Sequence, residues 1–521
     1  MKKRLPIGIQ DFVKIREGNY KYVDKTARIH QLISGGEGAF FLSRPRRFGK
    51  SLLCSTLGAI FEGKRELFSG LAIDSLEWDW KEYPVIRIDL NPGNYSEGTA
   101  ILDETLQGVL ENAAINLGLN LRGQLAYNQL GNLIMDAHRK YGERVAVIID
   151  EYDKPLVSTL DAEDLHLEMR KALKGFYGLL KSADAHLKFV FLTGVSKFSK
   201  VSVFSDLNHL TDLSLDPQYA DLCGITQEEL EKDFEPEIGE ILQNTGKSRD
   251  AYLAELRRFY NGYRFSKKPL AVYNSFGLLN HFGSRGEFLS YWYETGTPTF
   301  LINLIIEQRI NIVDLCNLYV RLDDFHKYDI DNMEAVPLLY QTGYLTVSDY
   351  DDERNRFALG YPNEEVRASF AKSLLRQYLQ VPMERSRPLS NKLIDALYDG
   401  DADGAMEAVR SFLASIPYDI IGERENYYQT AVHLIFTMLG FNCRSEVRIA
   451  HGRIDTMVET KGFAYCFEFK LDGTADEALA QIDTKEYLLP WAQCGKKLFK
   501  VGVSFDPEKR NIGEWKVSSS G

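Results

Sequence analysis

The feature that most constrains this chain is a series of short apolar runs in its first 215 residues: Gly38–Ser43 (GAFFLS), 85–90 (VIRIDL), 145–149 (VAVII) and 188–193 (KFVFLT), with a further candidate at 213–215. Each is too short for a helix, is rich in β-branched or aromatic residues, and is separated from the next by a longer stretch of helical character. That alternation builds an α/β unit in which a parallel sheet carries helices on both faces. Ligands of such sheets sit beyond the carboxyl ends of the strands, so the chemistry is expected there.

The first run leads into Arg44-Pro45-Arg46-Arg47-Phe48-Gly49-Lys50-Ser51. This ends like the phosphate-binding loop G-x-x-x-x-G-K-[ST], with Arg44 where the first glycine belongs. Gly49 would let the backbone approach a phosphate, Lys50 would place a point charge at the β and γ phosphates of ATP, and Ser51 would ligate Mg²⁺. Arg46 and Arg47 in the same loop join them as candidate nucleotide-binding residues. The following LLCSTLGAIF reads as a helix whose N-terminal dipole faces the anion. Arg44 precedes a proline, which favours extended backbone and predicts an altered entry to the loop.

The third run ends in Asp150-Glu151, the form of a Walker B motif. Asp150 would hold Mg²⁺, and Glu151 would polarise the attacking water. The fourth ends in Thr193-Gly194-Val195-Ser196-Lys197, where Thr193 is a candidate to sense the γ-phosphate. Taken singly, GKS is a helix start and Asp-Glu a helix cap. All three in this order on strand ends point to a nucleotide site.

Tyr22-Val23-Asp24-Lys25-Thr26, RPRRFGKS, IIDEYDKP and FLTGVSKFS together resemble the AAA-ATPase-like family of bacterial proteins. So do Asn261-Gly262-Tyr263-Arg264-Phe265, GYLT at 343–346 and Tyr361-Pro362-Asn363-Glu364-Glu365-Val366. The resemblance covers almost the whole chain and includes the Arg-Pro-Arg-Arg start of the loop. It implies an ATPase of the additional-strand, catalytic-glutamate type, often fused to a nuclease-like domain.

The middle is less informative. Residues 220–330 are helix-rich and read as a lid or bundle, in which Arg264 is a candidate sensor or finger, or else a surface arginine packed on Tyr263. From Val336 a helix, two strands and a polar turn resemble a winged helix. The turn, Asp349-Tyr350-Asp351-Asp352-Glu353, would repel phosphates, so a structural or coupling role is expected there rather than DNA reading.

The C-terminal unit carries a second chemistry. A helix opening at Glu425 and closing at Gly440 is followed by an extended run with a glycine turn, then by a strand at 464–471 that places Glu468 and Lys470 on one face. Asp455, Glu468 and Lys470 stand in the order D...E-x-K on a hairpin, which resembles the PD-(D/E)XK nuclease superfamily. Two carboxylates at adjacent strand positions can hold Mg²⁺ against a scissile phosphate, and Lys470 would orient or activate the water. Glu425 is placed as an additional acidic ligand. Gln481 lies where a polar residue assists, with Lys485 one turn on. Glu468 and Lys470 could instead form an ion pair on a wet face.

The net charge of −12 is unevenly spread: +8 over residues 1–60, −20 over 61–440 and zero over 441–521. A neutral tail still allows a local basic stripe, for which Arg444, Arg448, Arg453, Lys461, Lys496, Lys497 and Lys500 are candidates. The composition is that of globular material and excludes a disordered or fibrous chain. The six cysteines are far apart and without metal-ligand or redox spacing, and no run is apolar enough to span a membrane. A cytoplasmic protein is expected.

The expected division is an ATPase core at 1–217, a helical lid or bundle at 218–330, a winged-helix-like segment at 331–385, a helical linker at 386–420 and an α/β restriction-endonuclease-like domain at 421–521. The expected function is ATP hydrolysis coupled to Mg²⁺-dependent cleavage of nucleic acid, DNA foremost, by the C-terminal domain, with no membrane partner. Many P-loop ATPases complete their site with a neighbour's arginine, which leaves a homo-oligomer open. The alternative is a nucleotide-switched scaffold or partner-binding protein whose nuclease fold is inactive.

Overall fold

The computed structural model describes residues 2–36, 38–197, 210–293, 299–308, 310, 312, 315, 318–322, 334–378, 383–416, 425–449 and 451–520. The chain forms two compact units: Met1–Trp292 with Tyr319–Asn363, and Tyr293–Leu318 with Glu364–Gly521. No helix among the described residues is long and apolar enough to cross a membrane.

The first unit is built on a parallel sheet of β1 (Gly38–Ser43), β2 (Val85–Asp89), β3 (Val145–Asp150), β4 (Leu187–Gly194) and β5 (Leu210–Asp212), in the order β2-β3-β4-β1-β5. Insertion of β4 between β1 and β3 brings the ends of those two strands to either side of it, where the loop and the acidic pair lie. β3 is buried along its whole length, as its unbroken apolar run requires of a strand covered on both faces. The fifth strand lies three residues before the expected 213–215. There the Ser214 hydroxyl accepts from the amide of Ser43 at 2.9 Å, so a side chain takes the place of the next main-chain acceptor and the ladder ends.

The helix Lys50–Phe61 is apolar on nearly all sides and lies in the core, against β3. Beyond the sheet, helices Gln227–Asp233, Glu235–Thr245, Arg249–Tyr260 and Ser275–Gly283 pack around Phe234, Ile238, Leu256, Tyr260 and Leu278. Each such side chain contributes about 1.5–3 kcal/mol of burial. The first of these helices starts with a reciprocal capping box between Thr226 and Glu229. The winged pattern is present as helix Ala335–Thr342 and a three-stranded sheet of β6 (Leu318–Arg321), β7 (Thr346–Asp351) and β8 (Arg356–Gly360), in the order β6-β8-β7.

The second unit carries a sheet of β9 (Asn442–Ile449), β10 (Gly452–Glu459), β11 (Phe463–Lys470), β12 (Lys497–Asp506) and β13 (Asn511–Ser520), in the order β13-β12-β11-β10-β9. The β11–β12 pair is parallel and the rest antiparallel. Alternation along β11 sends Phe467 towards the helix Glu425–Met438, where its ring lies 5.2 Å from that of Phe436. Ala464 and Cys466 point the other way and share an apolar cluster with Ile482 of the helix Ala475–Thr484. That helix sits close enough to β12 that a Cβ at Gly502 would collide with the carbonyl of Ala475. Glu468 and Lys470 therefore lie on a face covered by a helix, and the ion pair between them forms beneath that helix, with Glu468 buried and Lys470 half-buried.

Candidate functional site

Two centres lie where the strand ends predict them, one in each unit. In the first, the loop after β1 turns through left-handed backbone at Arg47 (φ 65°) and Gly49 (φ 93°), and the helix begins at Lys50. Arg44 does not face this loop. Its guanidinium is buried and donates to the carbonyls of Ser43 at 2.8 Å, Ser214 at 2.9 Å and Tyr219 at 3.1 Å, beneath the ring of Phe265. The arginine anchors the start of the loop to the segment after β5, a role the first glycine of the usual motif could not perform. Arg46 and Arg47 are exposed, with the Arg47 guanidinium 3.9 Å from the Phe276 ring, and their carbonyls accept from Trp292 and Asn274.

Lys50 is 3% exposed, and its ammonium lies 3.4 Å from both the Pro45 carbonyl and Oε1 of Glu151. Glu151 adopts φ 52° directly after β3 and donates its amide to Oδ1 of Asp150 at 3.0 Å. Burial pushes Asp150 up to about 6, against the opposing hydrogen bond from Ser51. A carboxylate held up in this way beside a hydroxyl at a helix start is an oxygen pair of the kind Mg²⁺ takes, so Asp150 and Ser51 fit that ion. Thr193 is fully buried, and its hydroxyl donates to the Leu42 carbonyl at 2.8 Å between β4 and β1. Arg264 lies against β7, its amide donating to the Thr346 hydroxyl at 2.7 Å and its guanidinium to the Ser348 carbonyl.

Asp153 is not evident in the sequence alone. It is buried, and its carboxylate accepts from the amides of Val195 and Ser196, tying the turn after β3 to the turn after β4. Its signal is the second aspartate of DEYDK. Beside Gly49 an apolar cavity of about 90 Å³ is lined in part by Tyr22, Val23, Phe48, Leu52 and Ile225.

In the second centre the β10–β11 ladder ends at Thr456 opposite Phe467, and Asp455 and Glu468 are the next residues beyond that pair, one on each strand. Oδ2 of Asp455 accepts from the Phe469 amide at 2.8 Å. Oε1 of Glu468 accepts from the Lys470 ammonium at 3.3 Å and from the Gln481 amide nitrogen. The Gln481 amide oxygen in turn accepts from Lys470 at 2.8 Å. Glu468 is 2% exposed, and burial first, then the charge of Asp455, raise it well above the usual carboxylate range. Its Oε2 has no hydrogen-bond partner among the described residues. A buried oxygen left over between two facing carboxylates fits a divalent cation.

Among the described residues no group of three or more His, Cys, Asp or Glu side chains is placed to hold a metal, so the acidic donors here are two. Glu425 opens the helix Glu425–Met438, but its side chain lies outside the described residues. Lys485 ends the helix Ala475–Thr484 and is exposed. Tyr487, which no sequence motif marks, is buried and accepts from the Gln481 amide nitrogen at 3.1 Å. A tyrosine six positions after Gln481, across the end of a helix, is its only signal.

The expected basic stripe is largely compensated. Arg444 and Lys496 both pair with Glu459, at 3.2 and 2.7 Å, Arg453 pairs with Glu446, and Lys500 with Asp483. Neighbouring strands place opposite charges side by side, and the acids do not face away.

Residues 6–204 match the family described as predicted AAA-ATPase, and residues 423–515 match the PD-(D/E)XK nuclease superfamily. The chain is 39% identical over 535 residues, covering 100% of both proteins, to the "Uncharacterized protein in vnfD 5'region" of Azotobacter chroococcum mcd 1. The loop, the acidic strand end and the D...E-x-K hairpin fall inside the two matched spans. The chain therefore belongs to the AAA-ATPase-like family and carries a PD-(D/E)XK nuclease superfamily domain at its C-terminal end.

Proposed function

We propose that the protein binds and hydrolyses MgATP at the Gly49–Lys50–Ser51 loop and cuts phosphodiester bonds of nucleic acid, DNA foremost, at the β10–β11 hairpin. The observation that carries the second half is the convergence of Asp455, Glu468, Lys470 and Gln481, with one oxygen of Glu468 left unpartnered among the described residues. A divalent cation bound there lowers the pKa of a water and offsets charge on the phosphate. Asp455 and Glu468 would hold it, while Lys470, fixed by Gln481, orients the water and meets the phosphate oxygens. In the ATPase half, Gly49 and the start of its helix receive the phosphates, Lys50 neutralises them, Asp150 and Ser51 hold Mg²⁺, and Glu151 aligns the water.

The compensated basic residues favour a second reading, a nucleotide-switched scaffold with an inactive nuclease fold, because phosphate affinity needs uncompensated charge. Full-length protein with Mn²⁺ or Mg²⁺, with and without ATP, is incubated with linear, circular, single-stranded and RNA substrates. Cleavage that disappears in Lys470→Ala, and responds to ATP except in Lys50→Ala, supports the nuclease reading. Intact substrates throughout, with ATP still turned over, leave the scaffold.

A further inference from the structure

The phosphate loop and the turn after β4 are the two walls between which the γ-phosphate of ATP would lie. They leave the sheet side by side: the β1–β4 ladder ends at Ser43 opposite Gly194, and the Arg44 amide still donates to the Gly194 carbonyl at 3.1 Å. Beyond that bond, one helix end touches both walls. Helix Ala335–Thr342 of the winged segment closes in left-handed backbone at Gly343 (φ 91°). The Gln341 side chain is buried there, and its Oε1 accepts from the Lys197 amide at 3.0 Å. Two residues on, Gly343 packs so tightly on the phosphate loop that a Cβ in its place would stand 2.7 Å from Cβ of Pro45 and 3.3 Å from the Trp292 ring. Glycine is required at that position for its backbone and for space alike. The carbonyl of Pro45 lies 3.4 Å from the Lys50 ammonium. Lys50, Pro45 and Gly343 thus form one chain of contacts, and Gln341 extends it to the second wall.

Motifs that the nucleotide chemistry leaves unassigned fall on the same contacts. Gly343 opens GYLT, whose Thr346 starts β7 and accepts the Arg264 amide on its hydroxyl at 2.7 Å. The residues on either side of Arg264, Tyr263 and Phe265, set their rings edge-on to that of Phe48 in the phosphate loop, with centroids 4.7 and 5.4 Å away, a geometry aromatic pairs prefer. We infer that this helix end is a brace, in which Gln341 and Gly343 are positioning residues that set the distance between the phosphate loop and the turn after β4, and so tie ATP turnover to the place of the winged segment. The inference rests on the proposal that ATP is hydrolysed between these walls. Loss of the Gln341 acceptor frees the turn and leaves the loop in place, whereas a side chain at 343 displaces the loop. The two substitutions therefore act on different constants, turnover in the first case and affinity in the second.

The test uses full-length protein with Mg²⁺, assayed for phosphate release from ATP and for equilibrium binding of a fluorescent, non-hydrolysable ATP analogue. Gln341→Leu should lower kcat about tenfold and leave analogue affinity within about twofold of wild type. Gln341→Glu, which keeps an acceptor for the Lys197 amide, should restore most of the turnover and so separates positioning from misfolding. Gly343→Ala should weaken the analogue about tenfold. A kcat in Gln341→Leu within about twofold of wild type overturns the inference. So does a loss of affinity in that variant as large as its loss of kcat, which would make the helix end a general support of the fold. Should wild type bind the analogue but leave ATP uncut, the hydrolysis reading falls instead, and the brace is then judged by Gly343→Ala alone, where analogue affinity within about twofold of wild type overturns it.

Discussion

The Lys470 ammonium stands 3.3 Å from Oε1 of Glu468, two residues earlier on the same strand face, and Gln481 bonds both groups from the covering helix. Gln481 is thus a positioning residue: its amide presents a donor to the carboxylate and an acceptor to the ammonium at once. Gln481→Leu keeps the helix, which is capped by Thr474 and Glu477, but frees the two groups. Single-turnover cleavage with Mn²⁺ should fall by about 10- to 100-fold in Gln481→Leu. Lys470→Ala should fall further, by about 10²–10⁴-fold. Equal activity in Gln481→Leu and wild type would remove Gln481 from the site.

Lys50 and Glu151 form the corresponding pair at the nucleotide centre, 3.4 Å apart. Replacing Glu151 by Gln removes the carboxylate that competes with phosphate for Lys50 and also the group that aligns water. ATP should then bind several-fold more tightly while turnover drops by about 10²–10⁴-fold. Lys50→Ala should lose affinity instead. Equilibrium binding of a fluorescent ATP analogue, beside phosphate release, separates the two. A Glu151→Gln protein that turns over ATP at the wild-type rate would contradict this assignment.

Where local pattern and structure agree, the reason is periodicity. β1 to β4 are parallel strands, β3 buried throughout and the others in part, and such strands are short apolar runs, so their positions are readable from the residues alone. The two-residue repeat places Glu468 and Lys470 on one face, but the helix that covers that face is a long-range fact. Electrostatics are the least legible. The tail's Arg444 and Lys496 both meet Glu459, 15 and 37 positions away, pairings that no linear count reveals. Arg44 is legible as an anomaly but not as an anchor, because its three acceptors include carbonyls 170 and 175 residues further on.

That anchor makes Arg44 a stability residue. Arg44→Ala would take the guanidinium donors from the carbonyls of Ser43, Ser214 and Tyr219, the last of which still accepts from the Leu222 amide, and remove the cation from the Phe265 ring. Each buried acceptor left unpaired costs about 1–3 kcal/mol, so a total loss of about 3–5 kcal/mol is expected. Lys should not rescue, since one ammonium cannot reproduce the fork. Urea unfolding followed by hydrogen exchange of the β1 and β4 amides reports on this unit. A change below about 1 kcal/mol, the size of a single ordinary hydrogen bond, would show that the loop entry is held by other interactions.

His433 predicts how the second unit responds to acid. Its ring is buried, with Nδ1 2.7 Å from the Ser445 hydroxyl, and burial, aided by the charge of Arg367, pushes it down to about 4. A histidine ordinarily titrates near 6.5, so between these values the unfolded chain binds a proton that the folded protein refuses. The stabilisation is complete above about pH 6.5 and is lost as pH falls towards 4, amounting to about 3 kcal/mol for this one group. Hydrogen exchange of the amides at 428–438, corrected for intrinsic rates, should therefore show protection that weakens between about pH 7 and 5. In His433→Gln, where no proton can be taken up, the same amides should keep the same protection at both values even if it is lower throughout. An unaltered pH slope in that variant would place the acid sensitivity on other groups.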